Sequence, residues 1–151
     1  PWRLAPGPGS RDRGDMPDKA LDKVGQYLER FAKERDLALP PLGPDGVARI
    51  QRGSAVVSVH VLADQGVILF LARVADRPRE DDADLLRQLL TASFTATGDA
   101  AFALHPESGD VYLRILRSVD GLDYEELEDL LHTIATVADH WDDRLKLVQN
   151  A

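Results

Sequence analysis

Residues 55–74 read AVVSVHVLADQGVILFLARV, two runs rich in Val, Ile and Leu that are separated by the turn signal DQG at residues 64–66. A similar run follows the turn signal PDG at residues 44–46. Short aliphatic and β-branched runs between such turns are typical of strands. Links this short cannot form a parallel crossover, which needs about a dozen residues. The sequence therefore predicts an antiparallel meander with strands at residues 47–51, 55–62 and 66–74.

Helical patterns lie on both sides of this meander. Apolar residues spaced three and four apart predict a first helix over about residues 18–36, which ends before Pro40 and Pro41. A second helix is expected behind Asp81 or Asp82, whose carboxylates can cap its first turn. Asp123 caps the start of a last helix. Two strands at 101–105 and 110–118, joined by a tight hairpin, complete an α+β fold of order α-βββ-α-ββ-α, a twisted antiparallel sheet packed against helices.

Composition limits the classes of partner. The 151 residues carry 18 basic and 26 acidic side chains, a net charge of -8, which argues against nucleic acid and against anionic membrane surfaces. No apolar stretch approaches the roughly 20 residues that cross a bilayer, so membrane insertion is not expected. With no Cys, disulfides and thiolate metal sites are excluded. The length predicts one domain over residues 16–151, and the Pro- and Gly-rich residues 1–15 are expected to be a disordered lead or a cloning remnant.

The predicted strands are more apolar than a half-covered sheet requires. Residues 67–72 are apolar at every position, and residues 56–62 are interrupted only by Ser58 and His60. An antiparallel sheet with helices on one side should present polar residues to water on the other. The excess apolar surface therefore indicates a contact surface for another protein.

The second helix carries an apolar arc of about 200° at 100° per residue, roughly twice what packing on one sheet requires. It has two readings. The helix is either held between the sheet and another element of its own chain, or it packs on its own sheet and on a second copy of the protein. The second reading predicts a homodimer.

Catalytic patterns are absent from the sequence. The four His residues, His60, His105, His132 and His140, include no pair spaced three or four apart, so no helix presents a His pair to a metal. His140 lies among Asp139, Asp142 and Asp143, which could hold a hard cation, although a solvated acidic helix end is the simpler reading. The acidic residues at 80–84 lie too close together to flank a scissile bond. We predict no enzyme, no catalytic or metal-binding residue and no cofactor.

From about Leu21 to Leu147 the sequence resembles the class I chaperones of bacterial type III secretion, the Tir chaperone (CesT) family. The resemblance rests on a helix followed by Leu37, Leu39 and Pro40, on the turn GPDG at 43–46, and on LLRQLLTASF at 85–94. It continues through GDVYL at 109–113 and a last helix containing Leu131, Ala138, Trp141 and Leu145.

The resemblance implies a cytoplasmic homodimer that binds the unfolded N-terminal segment of a secreted effector and keeps it export-competent. In that family the second helix and a neighbouring strand tend to form the dimer contact. The implied dimer residues are Leu85, Leu86, Leu89, Leu90, Phe94 and Phe102. The implied effector-binding residues are Tyr27, Phe31, Ile50, Val57, Val59 and Leu69.

Two other functions remain open at this point. A regulatory or sensory protein of the YbjN kind shares this fold and need not hold an export substrate. A small enzyme that uses His60 or the acidic residues at 80–84 is the third possibility.

Overall fold

The computed structural model describes residues 16–38 and 42–149. Within them, all eight predicted elements are present in the predicted order. They are α1 (Met16–Glu34), β1 (Val47–Arg52), β2 (Ala55–Leu62), β3 (Val67–Ala75), α2 (Ala83–Thr95), β4 (Ala101–Leu104), β5 (Val111–Ser118) and α3 (Tyr124–Gln149), with a short 3₁₀ turn at Ala63–Gln65. The predicted lead at 1–15 and the stop at Pro40 and Pro41 lie outside the described residues.

The five strands form one antiparallel sheet in the order β1-β2-β3-β5-β4. The predicted meander of β1, β2 and β3 is confirmed. The β4–β5 hairpin joins it through β5, so β4 becomes an edge strand. The connection between β3 and β4 contains α2 and is long enough for either strand of the hairpin to pair with β3. In this structure β5 is the strand that pairs.

One face of the sheet carries the core. Helix α3 packs across β2, β3 and β5, and α1 packs against β2 and α3. The side chains that point into this layer are almost fully buried, among them Val59, Ile68, Phe70, Leu113 and Ile115. Burying one such side chain stabilises the fold by about 1.5–3 kcal/mol. Alternation along each strand then directs the neighbouring residues to the opposite, outer face.

Aspartate side chains begin two of the helices as predicted. The Asp82 carboxylate accepts a hydrogen bond from the Leu85 N–H at 3.1 Å. At the start of α3, Asp123 accepts from the Glu126 N–H at 2.8 Å. Each carboxylate satisfies an amide that the helix leaves unpaired and lies at the positive end of the helix dipole.

Gly46 makes the turn into β1 possible. Its φ is +72°, and a Cβ atom there would lie 2.7 Å from the Val61 carbonyl oxygen. The backbones approach this closely because the Val61 N–H donates to the Gly46 carbonyl at 2.8 Å. Gly66 has a similar φ of +65°, but a Cβ there would meet nothing within 4 Å.

These two glycines give a matched pair of variants. We expect Gly66→Ala to lower the free energy of unfolding by about 1 kcal/mol, the cost of a left-handed conformation for alanine. Gly46→Ala should cost at least about 2 kcal/mol, because the same conformational cost is joined by a clash with backbone. Urea unfolding of both variants measures the difference, and equal midpoints would show that the contact with Val61 relaxes without penalty.

Candidate functional site

Helix α2 exposes apolar side chains beside the edge of the sheet. Leu90 is 70% exposed and Phe94 is 89% exposed, one helical turn apart. Leu90 also lines a shallow apolar cavity of about 230 Å³ with Leu86 and Leu104. We call Leu86, Leu90, Phe94 and Leu104 the α2 patch. The described part of the chain therefore does not cover the whole arc of this helix.

The six dimer residues implied by the resemblance divide into two groups. Leu85 and Leu89 are each 3% exposed and pack into the chain's own core. Leu90 and Phe94 point outward, while Leu86 and Phe102 are partly buried. The Phe102 ring packs edge-on against Trp141 of α3, with ring centroids 5.0 Å apart. Leu104, at the end of β4, is an exposed neighbour that sequence reasoning missed.

Helix α2 also contacts the backbone of β4. The Ser93 hydroxyl oxygen accepts a hydrogen bond from the Phe102 N–H at 2.9 Å. β4 is the last strand of the sheet, so its side away from β5 has no strand partner, and the Ser93 hydroxyl satisfies this N–H there. The same hydroxyl donates to the Leu89 carbonyl at 3.0 Å, which fixes its position on the helix.

A second apolar surface lies between α1, β1 and α3. Side chains from these elements and from β2 line an open groove of about 300 Å³, which we call the α1–α3 groove. Its apolar lining consists of Phe31, Leu37, Ile50, Val57, Leu131 and Ala135. Leu37 is 40% exposed at its mouth, so the groove is open to a partner.

Cationic side chains stand at the rim of the α1–α3 groove. The Arg35 guanidinium lies 4.0 Å from the centroid of the Phe31 ring and forms an ion pair with Glu128. Arg52 donates to the Thr136 hydroxyl at 2.7 Å and contacts Nδ1 of His132 at 3.0 Å. Since a guanidinium can only donate, Nδ1 of His132 acts as the acceptor.

Three of the six implied effector residues come together in this groove: Phe31, Ile50 and Val57. Val59 is fully buried on the core face of the sheet, and Leu69 lies on the outer face. Tyr27 lies elsewhere on α1, where its hydroxyl donates to the Leu122 carbonyl at 3.3 Å. Sequence analysis did not predict that Leu131 and Ala135 line the groove. Both lie on the apolar side of α3, and that periodicity predicts only that they are buried in the core.

Polar contacts hold α1 against the start of α3. They are Lys23 Nζ to the Val119 carbonyl at 2.9 Å, the Tyr27 contact with Leu122, Tyr124 Oη to Glu34 Oε2 at 2.6 Å, and the Arg35–Glu128 ion pair. The hydrogen bond from Tyr124, with a second from Arg30, lowers the pKa of the Glu34 carboxyl. These contacts keep one wall of the α1–α3 groove in place.

The outer face of the sheet is the third apolar surface. Its residues include Leu69, Leu71 and Leu116, and Leu116 is 42% exposed. His60 lies beside Leu69, and its Nε2 is 3.0 Å from the Ser58 hydroxyl. Burial against the sheet lowers the pKa of His60, and the nearby Arg49 lowers it further. Asp45 acts in the opposite direction, but the net effect favours the neutral imidazole.

The described residues contain no group of three or more His, Asp or Glu side chains placed to hold a metal ion. Asp139 and Asp142, which the sequence places near His140, accept hydrogen bonds from the Ser54 hydroxyl at 2.9 and 3.2 Å. Asp82 of the acidic segment caps α2. In the described part of the chain, no helix is long and apolar enough to span a membrane. Exposed apolar surface is what the fold offers to a partner, as in a protein-binding module.

Two of the solved structures that resemble this chain are complexes of two proteins. A chain of the ExsC–ExsE complex has a TM-score of 0.66 and 26% identity, over 82% of this chain and 93% of that one. A chain of the HopA1–SchA chaperone–effector complex has a TM-score of 0.64 and 14% identity, covering 83% and 98%. YbjN of E. coli, a suspected transcription regulator, has a TM-score of 0.54 and 15% identity, covering 78% and 87%. No curated protein sequence matches the chain.

The model of the Tir chaperone protein (CesT) family matches residues 26–142. The chain belongs to this family. The match confirms the resemblance found in the sequence, and the similar structures confirm the predicted α+β fold.

The position of His60 predicts a pH dependence of stability. Its folded pKa lies below the usual value of 6.5, so the unfolded chain binds the proton more readily. Above pH 6.5, His60 is mostly neutral in both the folded and the unfolded chain and does not lower the free energy of unfolding. As the pH falls from 6.5 toward the folded pKa, the unfolded chain takes up the proton first, and the free energy of unfolding decreases. Urea unfolding at about pH 7.5 and about pH 5.5 should show a smaller acid loss in His60→Gln than in the wild type. His140→Gln controls for the removal of a surface imidazole, and identical acid losses in wild type and His60→Gln would contradict the assignment.

Proposed function

We propose that this chain is a non-enzymatic chaperone of type III secretion that binds the unfolded N-terminal segment of an effector and keeps it export-competent. The observation that carries the proposal is the open α1–α3 groove in a member of the CesT family. The similarity to chains of the ExsC–ExsE and HopA1–SchA complexes supports a protein partner. An acidic chain that serves export substrates is expected to act in the cytoplasm.

The α1–α3 groove suits side chains of an extended segment. Its volume of about 300 Å³ is enough for one or two large apolar side chains, and its lining comes from secondary structure that is already packed. Binding an unfolded segment costs the entropy of ordering it, so an apolar anchor must offset that loss. Strand β1 borders the groove and is the other edge of the sheet, where a segment can add by backbone hydrogen bonds. No nucleotide or cofactor enters this mechanism.

The α2 patch supports the homodimer. Leu90 and Phe94 are the most exposed large apolar side chains among the described residues. A two-fold axis beside α2 would place the patches of two copies against each other. Such a dimer leaves both α1–α3 grooves free, because α2 and β4 lie at the opposite edge of the sheet from β1.

A YbjN-like regulatory role is the alternative. YbjN has a TM-score of 0.54 and 15% identity, against 0.66 and 26% for the chain of the ExsC–ExsE complex. The family match and the open α1–α3 groove favour the chaperone over the regulatory role.

The groove is tested with a defined client. The N-terminal segment of the protein encoded beside this chain's gene is co-expressed with the chain, and the amount that co-purifies is measured. Leu37→Asp should reduce capture at least about 10-fold, because a carboxylate at the groove mouth opposes an apolar anchor. Leu62→Asp is the matched control, since Leu62 is 37% exposed and lies outside the groove. Equal capture by wild type and Leu37→Asp would remove the groove from the proposal.

The dimer is tested at the α2 patch. Phe94→Asp should raise the dimer Kd by roughly 100-fold, about 3 kcal/mol, because it places a charge in a closed apolar contact. Light scattering after gel filtration reads the mass, and the circular dichroism spectrum should be unchanged because Phe94 is 89% exposed. Leu89→Asp should instead unfold the chain, since Leu89 is 3% exposed in the core. A folded Phe94→Asp protein that remains dimeric would exclude this surface.

A further inference from the structure

The outer face of the sheet is left open by the described helices. The helix contacts and the buried strand residues lie on the other face or beside β4. Across the outer face, Val47 pairs with His60, His60 with Leu69, and Leu69 with Leu116, so these four side chains form one row. The row is apolar apart from His60, whereas a sheet face in water is normally polar.

The charged side chains within the five strands are all arginines. The five strands contain five Arg and no Asp or Glu, in a chain with 26 acidic residues. Arg52 and Arg117 contact groups on the core side, and Arg73 is paired with Asp110. Arg49 and Arg114 are exposed on the outer face and have no ion-pair partner among the described residues.

The strand register places these two arginines at the two ends of one row across the sheet, with Ser58 and Leu71 between them. Arg49 pairs with Ser58, Ser58 with Leu71, and Leu71 with Arg114, so they share the row next to the apolar one. Three strand spacings of about 4.8 Å separate the arginines by roughly 14 Å. An α-helix with its side chains is about 10–12 Å wide. A helix lying along β2 and β3 therefore has one arginine at each flank.

We infer that this outer face is a second docking surface, which binds an acidic amphipathic helix of a partner protein. The apolar stripe of the helix covers Leu69, Leu71 and Leu116, and carboxylates on both of its flanks pair with Arg49 and Arg114. Covering an open sheet face with a helix is the usual way to complete such a layer. The inference does not depend on an effector segment occupying the α1–α3 groove.

A second copy of this chain fits the face less well. The apolar stripes of α1 and α3 are buried or partly buried in their own core wherever their side chains are described. Helix α2 has an exposed stripe at Leu90 and Phe94, but Arg87 lies one turn before Leu90 in place of a carboxylate. An arginine there would repel Arg49 or Arg114. The charge pattern therefore favours a helix of different sequence.

The test uses two synthetic helical peptides of about 18 residues, or about 27 Å. Both carry the same leucine stripe, flanked by Glu in one and by Lys in the other. Fluorescence anisotropy with the full chain should show at least about 10-fold tighter binding of the Glu peptide, weakening as salt is added. Arg49→Glu combined with Arg114→Glu should reverse the preference. Arg87→Glu, an exposed arginine on α2, is the matched control and should leave it unchanged.

Amide chemical shifts locate the bound Glu peptide, and those of Leu69, Leu71 and Leu116 should move while those of the groove residue Ala135 stay fixed. Absence of binding, a preference that survives the double reversal, or shifts confined to the groove or the α2 patch would overturn the inference. It would also be overturned if Leu116→Thr changed the oligomeric mass measured in solution without any peptide. That result would mean that a second copy of the chain covers the outer face. None of these results bears on capture of the client by the groove, which Leu37→Asp tests separately.

Discussion

A sheet has two faces, and the described helices of this chain cover only one of them. The layer of α1 and α3 on β2, β3 and β5 supplies the core, with Ile68, Phe70 and Leu113 at its centre. The remaining apolar surfaces follow from this arrangement. The α1–α3 groove lies between α1, β1 and α3, and the α2 patch lies where a helix passes the edge of the sheet. None of the described helices covers the outer face.

The order and type of the elements could be predicted because each has a local physical cause. Alternation between short turns sets the strands, and Asp82 and Asp123 cap the helices that follow them. The neighbour of β3 could not be predicted, because the connection through α2 is long enough to reach either strand of the hairpin.

The candidate site could be predicted only in part. Phe31, Ile50 and Val57 meet in one groove, but Leu69, an equally apolar strand residue, lies on the opposite side of the sheet. Placing it there requires the register between β2 and β3 and knowledge of which face the helices cover. The split within α2 has the same origin: periodicity shows the width of the apolar arc, and only packing shows that Leu89 is inside and Phe94 outside.

The bond from the Phe102 N–H to the Ser93 hydroxyl has a consequence for how copies of this protein can assemble. An edge strand with free amides invites another strand to add to it, and repeated addition leads to fibrils. Here the Ser93 hydroxyl of α2 occupies one of those amides on β4, which leaves fewer free amides for another strand to pair with and makes strand addition at this edge less favourable.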